Sequence, residues 1–462
     1  MAGRQARLIP SDLVGRTTAA TAASERQGSS VRKTMPASGW PGSDFSKFWV
    51  GQTVSNLGSS ITLFALPLLV YNLTGSALNL ALTTAAQFVP HLLFGLVIGA
   101  YADRLDRKRL MITVDLLRAV VISTIPLLSA FDALTVWWIY GVGFVMSTLT
   151  IFFDSCQFAA IPSLVDNKDL VAANGRIQAS FSAAQIAGPL LAGVLVSLLP
   201  PAGVVAVDAL TFVVSAVALG AISSRFNTVE GDQRSPTSLR ADVIDGLRYV
   251  MRHPVLRQIS LMLALTNLVA ATIYSQIVLF ADVQLGATDS ETAFIYAAGA
   301  VGMTTFGLLA GRIRSRYGFT KVAKWALIIE SALFVALGFM TNPWLAMIAF
   351  ACMQGLSILF NVQTASLRQL ITPNHMLGRV MTIAAVLAWS AIPVGSYLGG
   401  IAIEATGDPG LVYAALGGLS LLIPLFFFTF TALGHAERYI PADTKEVFPL
   451  KGNLESNRRA AS

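Results

Sequence analysis

The stretch GAYADRLDRKRLM, Gly99–Met111, decides how the rest of the chain is read. From Ile61 to Tyr101 there is no Lys, Arg, Asp or Glu. Six charges then fall within the seven residues Asp103–Arg109, and the chain turns apolar again. Charge packed into one short turn between two long apolar runs is what a loop between membrane helices requires.

Composition agrees. Of 462 residues, 54% are hydrophobic and 12% charged, against about 25% charged in an ordinary soluble domain. The apolar residues lie in runs of roughly 20, the length that crosses a bilayer core of about 30 Å. The runs are too long and too rarely alternating for a transmembrane barrel. An all-α, polytopic membrane protein is expected. Cys156 and Cys352 both fall in apolar runs, so they read as small core residues and not as a disulfide framework. Residues 1–46 are rich in Ser, Thr, Ala, Gly and Arg and lack the apolar core of a signal peptide. They read as a disordered cytoplasmic tail. Met35 sits just before the first apolar run, which leaves open whether residues 1–34 belong to the native product.

Hydropathy places twelve spans: 47–72, 78–102, 109–130, 134–161, 171–198 and 203–223, then 256–281, 291–311, 320–340, 343–370, 378–404 and 410–432. Two six-helix bundles, 47–223 and 256–432, are thus separated by a polar linker, 224–255. Residues 433–462 are expected to form a loose polar tail.

Lys and Arg divide between the connections. The connections after spans 1, 3, 5, 7, 9 and 11 contain none. The connection after span 2 holds Arg104, Arg107, Lys108 and Arg109, and the one after span 8 holds Arg312, Arg314, Arg316, Lys321 and Lys324. The linker and both termini are basic too. By the positive-inside rule both termini face the cytoplasm, and the inner membrane is the expected location. The net charge of +7 is therefore a topology signal directed at an anionic leaflet and not at nucleic acid. Within the linker, SLRADVIDGLRYVMRHP (Ser238–Pro254) puts Leu239, Val243, Leu247, Val250 and Met251 on one helical face. An amphipathic helix beneath the two bundles is expected.

The chain also repeats itself. At an offset of 211, SNLGSSI (Ser55–Ile61) overlays TNLVAAT (Thr266–Thr272) and Gly75 overlays Gly286. At 212, Gly95 and Gly99 fall on Gly307 and Gly311; at 207, Phe153–Asp154 falls on Phe360–Asn361 and Ala192–Gly193 on Gly399–Gly400. Six helices repeat as six in the same orientation, an arrangement that puts a transport path at the interface of the halves.

Taken with that repeat, GAYADRLDRKR resembles the loop signature of the major facilitator superfamily, G-x-x-x-D-R-x-G-R-R/K. Gly99, Asp103, Arg104, Arg107 and Lys108 match, and Asp106 replaces the usual Gly. DGLRYVMRHPVLR (Asp245–Arg257), FDSCQFAAIPSLV (Phe153–Val165) and NVQTASLRQLITPNHMLGRVM (Asn361–Met381) are similar to the branch holding the enterobactin exporter and the macrolide- and tetracycline-efflux-like pumps. The resemblance spans roughly residues 45–432. It implies that Asp103 latches onto the N-terminus of span 11 near Leu377–Arg379, where the helix dipole is positive, with Arg107 holding nearby carboxylates. Gly95 and Gly99 are expected to let span 2 pack closely on a partner.

Ionisable groups inside spans are costly and need partners. Candidates are Asp115 and Arg118 in span 3, Asp154 in span 4 and Glu330 in span 9, with Asp208 in span 6 read as structural. At 1.5 Å per residue, Arg118 and Asp154 lie at matching depths of about 13 and 12 Å, so they could pair. Either these groups form structural ion pairs, or Asp154 or Glu330 takes up and releases a proton during transport.

IAGPLLAG (Ile186–Gly193), with Gly188 and Pro189, resembles the exporter signature G-P-x-x-G-G, and Pro393 lies in IPVGSYLGG (Ile392–Gly400). Both prolines are expected to kink their helices. In the family, spans 1, 4, 7 and 10 line the cavity. The candidates there are Gln52, Asn56, Asn267, Gln276, Gln354, Asn361 and Gln363, with Trp389 in span 11. Each reads either as interhelical glue or as pocket lining.

No catalytic constellation is visible. His91, His253, His375 and His435 have no metal spacing, and no Gly-rich phosphate loop ends in Lys-Ser or Lys-Thr. No enzyme activity, metal or cofactor is expected, so coupling would come from an ion gradient. The reading is a monomeric exporter of a bulky apolar or amphiphilic molecule, a drug or secondary metabolite, by proton antiport. Siderophore export is the alternative within the fold, and a non-transporting membrane sensor or scaffold the alternative of another class.

Overall fold

The computed structural model describes residues 42–102, 105–166, 169–224, 226, 239–373 and 376–440. Residues 1–41 of the expected amino-terminal tail lie outside them, and residues 43–46 already belong to a helix. Every regular element among the described residues is helical. The first half comprises α1 (Ser43–Thr74), α2 (Ala77–Ala102), α3 (Arg107–Ala130), α4 (Val136–Leu164), α5 (Leu170–Val196) and α6 (Pro201–Gly220). A short α7 (Leu239–Arg252) follows. The second half comprises α8 (Pro254–Val283), α9 (Asp289–Tyr317), α10 (Phe319–Gly338), α11 (Pro343–Ile371), α12 (Leu377–Trp389), α13 (Ala391–Thr406) and α14 (Pro409–Phe430). Eleven spans among the described residues are long and apolar enough to cross a membrane, α12 and α13 counting as one. The twelfth, α10, is 20 residues long and dilutes its apolar run with Lys321, Lys324 and Glu330.

Two ends of the molecule differ. At the end free of Lys and Arg, the turns are short and built from caps. Gly75, Gly286 and Gly407 close helices with φ of 59°, 58° and 67°, a region open to glycine at little cost. Thr288 and Glu291 form a reciprocal capping box at the start of α9. At the basic end, α9 runs to Tyr317 and not to the expected 311, so Arg312, Arg314 and Arg316 lie on helix and not in a loop. Cations in a last turn favour helix, because they oppose the dipole. Gly318, at φ 77°, alone separates α9 from α10.

Span 11 is broken. α12 ends at Trp389 and α13 begins at Ala391. Pro393 has no N–H for the Trp389 carbonyl four residues earlier, which accounts for the break there. Pro189, by contrast, sits inside an unbroken α5. Of the tail expected to be loose, residues 433–439 are packed, within a 3-10 segment Ala432–Tyr439 that is kinked at His435, and residues 441–462 lie outside the described residues. Leu433 and Ala436 are fully buried, and the Glu437 carboxylate accepts the Thr320 backbone N–H at 3.2 Å. α7 packs on α12 through its small Gly246, beside Ile383 and Arg379, and through buried Val250; Leu247 and Met251 stay exposed. Leu239 and Val243 lie outside the residues whose side chains are described.

Between the halves, α2 packs on α13 and α5 on α9, two contacts that the internal repeat exchanges. A Cβ added at Gly193 would lie 2.6 Å from Ala293 Cβ, and one at Gly400 would lie 2.7 Å from Ala81 Cβ. Both contacts sit toward the cation-free end. Tyr71 donates to Asp282 at 2.7 Å, Gln276 to the Ala77 carbonyl at 2.8 Å, and Ser76 to Glu404 at 3.1 Å. The core follows the same division. One buried cluster near the cation-free end combines both halves, from Phe64 and Val205 to Phe280 and Tyr413. Toward the basic end the core splits in two. Phe45, Met111 and Ile161 belong to one part; Ile259, Phe319 and Leu367 belong to the other. A Cβ added at Gly95, Gly307 or Gly311 would meet nothing within 4 Å, so the close packing expected of Gly95 is absent. The surroundings of Gly99 lie outside what is described.

Candidate transport cavity

Between the halves lies a cavity of about 1220 Å³, above the roughly 300–1,000 Å³ usual for small-molecule pockets. It extends from Leu66 and Pro67, near the sealed end, to Ile161 and Asn174 near the basic end. Both walls mix polar and apolar groups, and the first half supplies most of them. The first half contributes polar stripes at helical spacing: Thr84, Gln87 and His91 on α2; Ser147, Thr150, Asp154 and Gln157 on α4; Asn174, Gln178 and Gln185 on α5. The second half contributes Tyr274, Ile277, Tyr296, Met303, Phe350 and Gln354. A substrate would meet amides, hydroxyls and a carboxylate interleaved with rings and thioethers, Phe88, Phe153, Phe212 and Met146 being among those of the first half.

The charged groups form one cluster in the first half. Arg118 Nη1 lies 3.3 Å from Asp115 Oδ1, both side chains being buried. The ion pair is therefore made within α3, three residues apart, and not across to Asp154. One helical turn presents the two side chains to each other directly. The guanidinium lies over the rings of Phe153 (4.6 Å) and Phe212 (5.4 Å), a favourable placement for a desolvated cation. Arg118 also feels Asp154 and Asp208 electrostatically. Asp208, 1% exposed, accepts from Ser59 at 3.4 Å and Thr211 at 3.1 Å. Asp154 is exposed to the cavity. Among the described lining residues Arg118 is the only Arg or Lys, so carboxylates outnumber cations around it.

Glu330 lies elsewhere, half-buried in the second half beside Ser357. Its Oε2 is buried without a hydrogen-bond partner among the described residues. Of the polar candidates, Gln52 and Asn56 line the cavity, as does Gln354, which accepts from Tyr274 Oη. Gln52 also donates to Ser215 at 3.0 Å. The others are not among the lining residues; Asn267, Gln276 and Gln363 join helices, and Asn361 bonds only within its own. Asn267 donates to the Ala388 carbonyl at 2.9 Å, beside the helix break. Gln276 bridges the halves, Gln363 donates to the Ala310 carbonyl, and Asn361 turns back to the Ser357 carbonyl at 3.0 Å. Each satisfies a main-chain carbonyl, which a low-dielectric interior rewards. Trp389 is half-exposed and meets His91 edge-on across the halves, with ring centroids 5.9 Å apart. Gly188 lets α5 touch the Ser60 backbone on α1, and Pro189 lines the cavity.

Sequence reasoning misses His91 as a lining residue, because it weighs the histidines only as metal ligands. Its Nδ1 lies 3.1 Å from Ser147 Oγ. The signal is the stripe Thr84, Gln87, His91 on an otherwise apolar helix, and likewise Ser147 to Gln157.

The loop motif is only partly described. Asp103 and Arg104 lie outside the described residues, and so does the expected latch. Arg107 reaches the Phe226 carbonyl at 3.4 Å, and Lys108 the Ile222 and Gly220 carbonyls. Lys108 thereby caps the C-terminus of α6, where a cation is favoured. Asp106 caps α3, accepting the Arg109 N–H at 3.0 Å, which gives the departure from the usual Gly a physical reason.

Two like-oriented helical halves enclosing a cavity sealed at one end define the class: a multi-pass membrane transporter. The chain belongs to the family described as transmembrane secretion effector, whose model matches residues 39–458, within the major facilitator superfamily. It is 27% identical over 372 residues to macrolide efflux protein A of Streptococcus pyogenes, covering 79% of this chain and 90% of that one. It is 27% identical over 369 residues to the multidrug efflux pump Tap of Mycolicibacterium fortuitum, covering 76% and 87%. Among solved structures, the nucleoside transporter NupG superposes with a TM-score of 0.68 at 13% identity, covering 86% of this chain and all (100%) of that one. An inward-facing bacterial homologue of the iron transporter ferroportin gives 0.65 at 15% identity, covering 83% and 98%. The relatives are transporters and not enzymes, and these likenesses to solved structures concern the fold.

Proposed function

We propose that this chain exports a bulky apolar or amphiphilic small molecule, a drug or secondary metabolite, by alternating access coupled to proton entry. The observation that carries the reading is the cavity itself: large, lined by polar and aromatic side chains together, and bordered, among the described residues, by a seam at the cation-free end. With the basic end in the cytoplasm, as the positive-inside rule directs, this is the state that loads substrate from inside. The halves 47–223 and 256–432 are the moving bodies, and the linker 224–255 joins them. The efflux relatives support export over import. Asp154 is the carboxylate best placed for coupling, since of the two that line the cavity it is the exposed one, Asp208 being buried, and the nearby Arg118 is already engaged by Asp115. A cavity whose exposed charge is acidic suits neutral or cationic cargo better than an anionic siderophore.

The test is accumulation of a compound panel, macrolides included, in cells with and without the protein, with and without a protonophore. Lower accumulation that the protonophore reverses is expected. Equal accumulation of every compound would overturn the export reading, and export indifferent to the protonophore would overturn proton coupling.

A further inference from the structure

A second cavity, of about 650 Å³, lies at the basic end, away from the transport path. It is framed by the end of α9, the start of α10, Phe428 of α14 and the 3-10 helix 432–439. Four cations border it: Arg316, Lys321, Lys324 and Arg438. None of the four makes an ion pair with a described residue. The one carboxylate among the described lining residues, Glu437, is turned to the Thr320 backbone N–H and lies near Arg314, so among the described residues the four cations are left uncompensated.

The apolar side of the cavity is equally specific. Tyr317 and Trp325 border it and are more than half exposed, at 54% and 57%. Trp325 lies six residues into α10, about 9 Å along its axis. Aromatic side chains at that depth belong to the membrane–water interface. Cations above an exposed indole, at a helix end in a bilayer, match a phosphodiester headgroup above its acyl chain.

We propose that this cavity binds the headgroup of an anionic phospholipid, with the phosphate among Lys321, Lys324 and Arg438 and the chain beside Trp325. The lipid bridges α9–α10 to the 3-10 helix after α14, so it ties the carboxy-terminal segment to the second half. The inference needs only that the chain lies in a bilayer. It is independent of what the central cavity carries.

The test uses the full chain, delipidated in detergent and titrated with phosphatidylglycerol, phosphatidylcholine, glycerol phosphate or inorganic phosphate. The readouts are native mass spectrometry and the thermal unfolding midpoint. Phosphatidylglycerol should be retained and raise the midpoint; phosphatidylcholine should do neither. Each basic group near an anionic headgroup is worth about fivefold in binding. K321Q/K324Q/R438Q should therefore lose on the order of a hundredfold in retention if the three act independently. Arg109→Gln, an exposed cation outside the cavity, is the control. Should the triple variant unfold, Lys324→Gln alone and the charge-keeping Lys324→Arg take its place, the first losing retention and the second keeping it. Equal retention of phosphatidylcholine, unchanged retention by the neutralised variants, or equally tight binding of glycerol phosphate or inorganic phosphate would each overturn the proposal.

Discussion

Tyr71 donates its hydroxyl proton to Asp282 across the two halves at 2.7 Å, and the two residues are 211 positions apart. That separation is the repeat offset that also relates Gly75 to Gly286, two residues with φ of 59° and 58°. The halves therefore meet there at equivalent positions, close to the axis that relates them. The seam residues obey the same exchange, Gly193 against Ala293 and Gly400 against Ala81.

Removing the Tyr71 hydroxyl should loosen that end. A hydrogen bond to a charged group is worth about 1.5–3 kcal/mol, and this one is exposed, so a shift of a few fold is expected. Spin labels at the exposed positions Leu73 and Val283, with both cysteines replaced, report it. Tyr71→Phe should raise the population with long label distances; an unchanged distribution would mean the seam is held by packing alone.

The glycines should act with opposite signs. Gly400→Val overfills the sealed seam, so it should disfavour the state described above. Gly95→Val has room here but would obstruct closure of the basic end, so it should favour this state. Accessibility of Thr150→Cys to a membrane-impermeant thiol reagent, added from either side, measures both. Shifts of the same sign in both variants would contradict alternating access.

Arg118→Met should lower thermal stability sharply. Breaking a buried pair from one side costs about 3–5 kcal/mol, because the remaining charge is left uncompensated. Asp115, with no exposed surface, would be that charge. The double variant D115N/R118M should recover part of the loss; no recovery would show that Arg118 acts mainly through Asp154, Asp208 and the two rings.

Asp154→Asn should abolish substrate-dependent proton movement in proteoliposomes while substrate still binds. Glu330→Gln, outside the lining of the cavity, should leave that movement in place. The reverse outcome would transfer the coupling role to Glu330.

Asp106→Ala should cost about 1 kcal/mol in unfolding free energy, and Asp106→Gly only a few tenths, the usual scale for an N-cap. Equal losses would mean that the carboxylate does more than cap α3.

The helices and their pairing into halves were legible because apolar run length, cation placement and the repeat all point the same way. Side-chain partners were less so. Depth along their helices matches Arg118 with Asp154, but rotation about each axis decides contact, and Asp115 one turn away wins. Asn267 and Asn56 are equivalent in the repeat, yet only Asn56 faces the cavity; the break after Trp389 frees carbonyls nearby, and Asn267 answers one of them. The stripes on α2 and α5 are readable from spacing alone, but family expectation directs attention to other spans. The packing of residues 432–439 depends on two buried apolar side chains, Leu433 and Ala436, in a polar stretch, too weak a pattern to stand out.

The missing hydrogen bond at Trp389 divides one membrane crossing into two levers. The outer lever, α13, is fastened into the sealed seam by Gly400 and Glu404, whereas the inner lever, α12, packs on α7 and places Trp389 against His91. If the halves rock as proposed, a joint at mid-depth would let the inner lever swing while the outer one holds. On the alternating-access reading proposed above, closure of the basic end would then begin at the inner lever, before the sealed seam has to part.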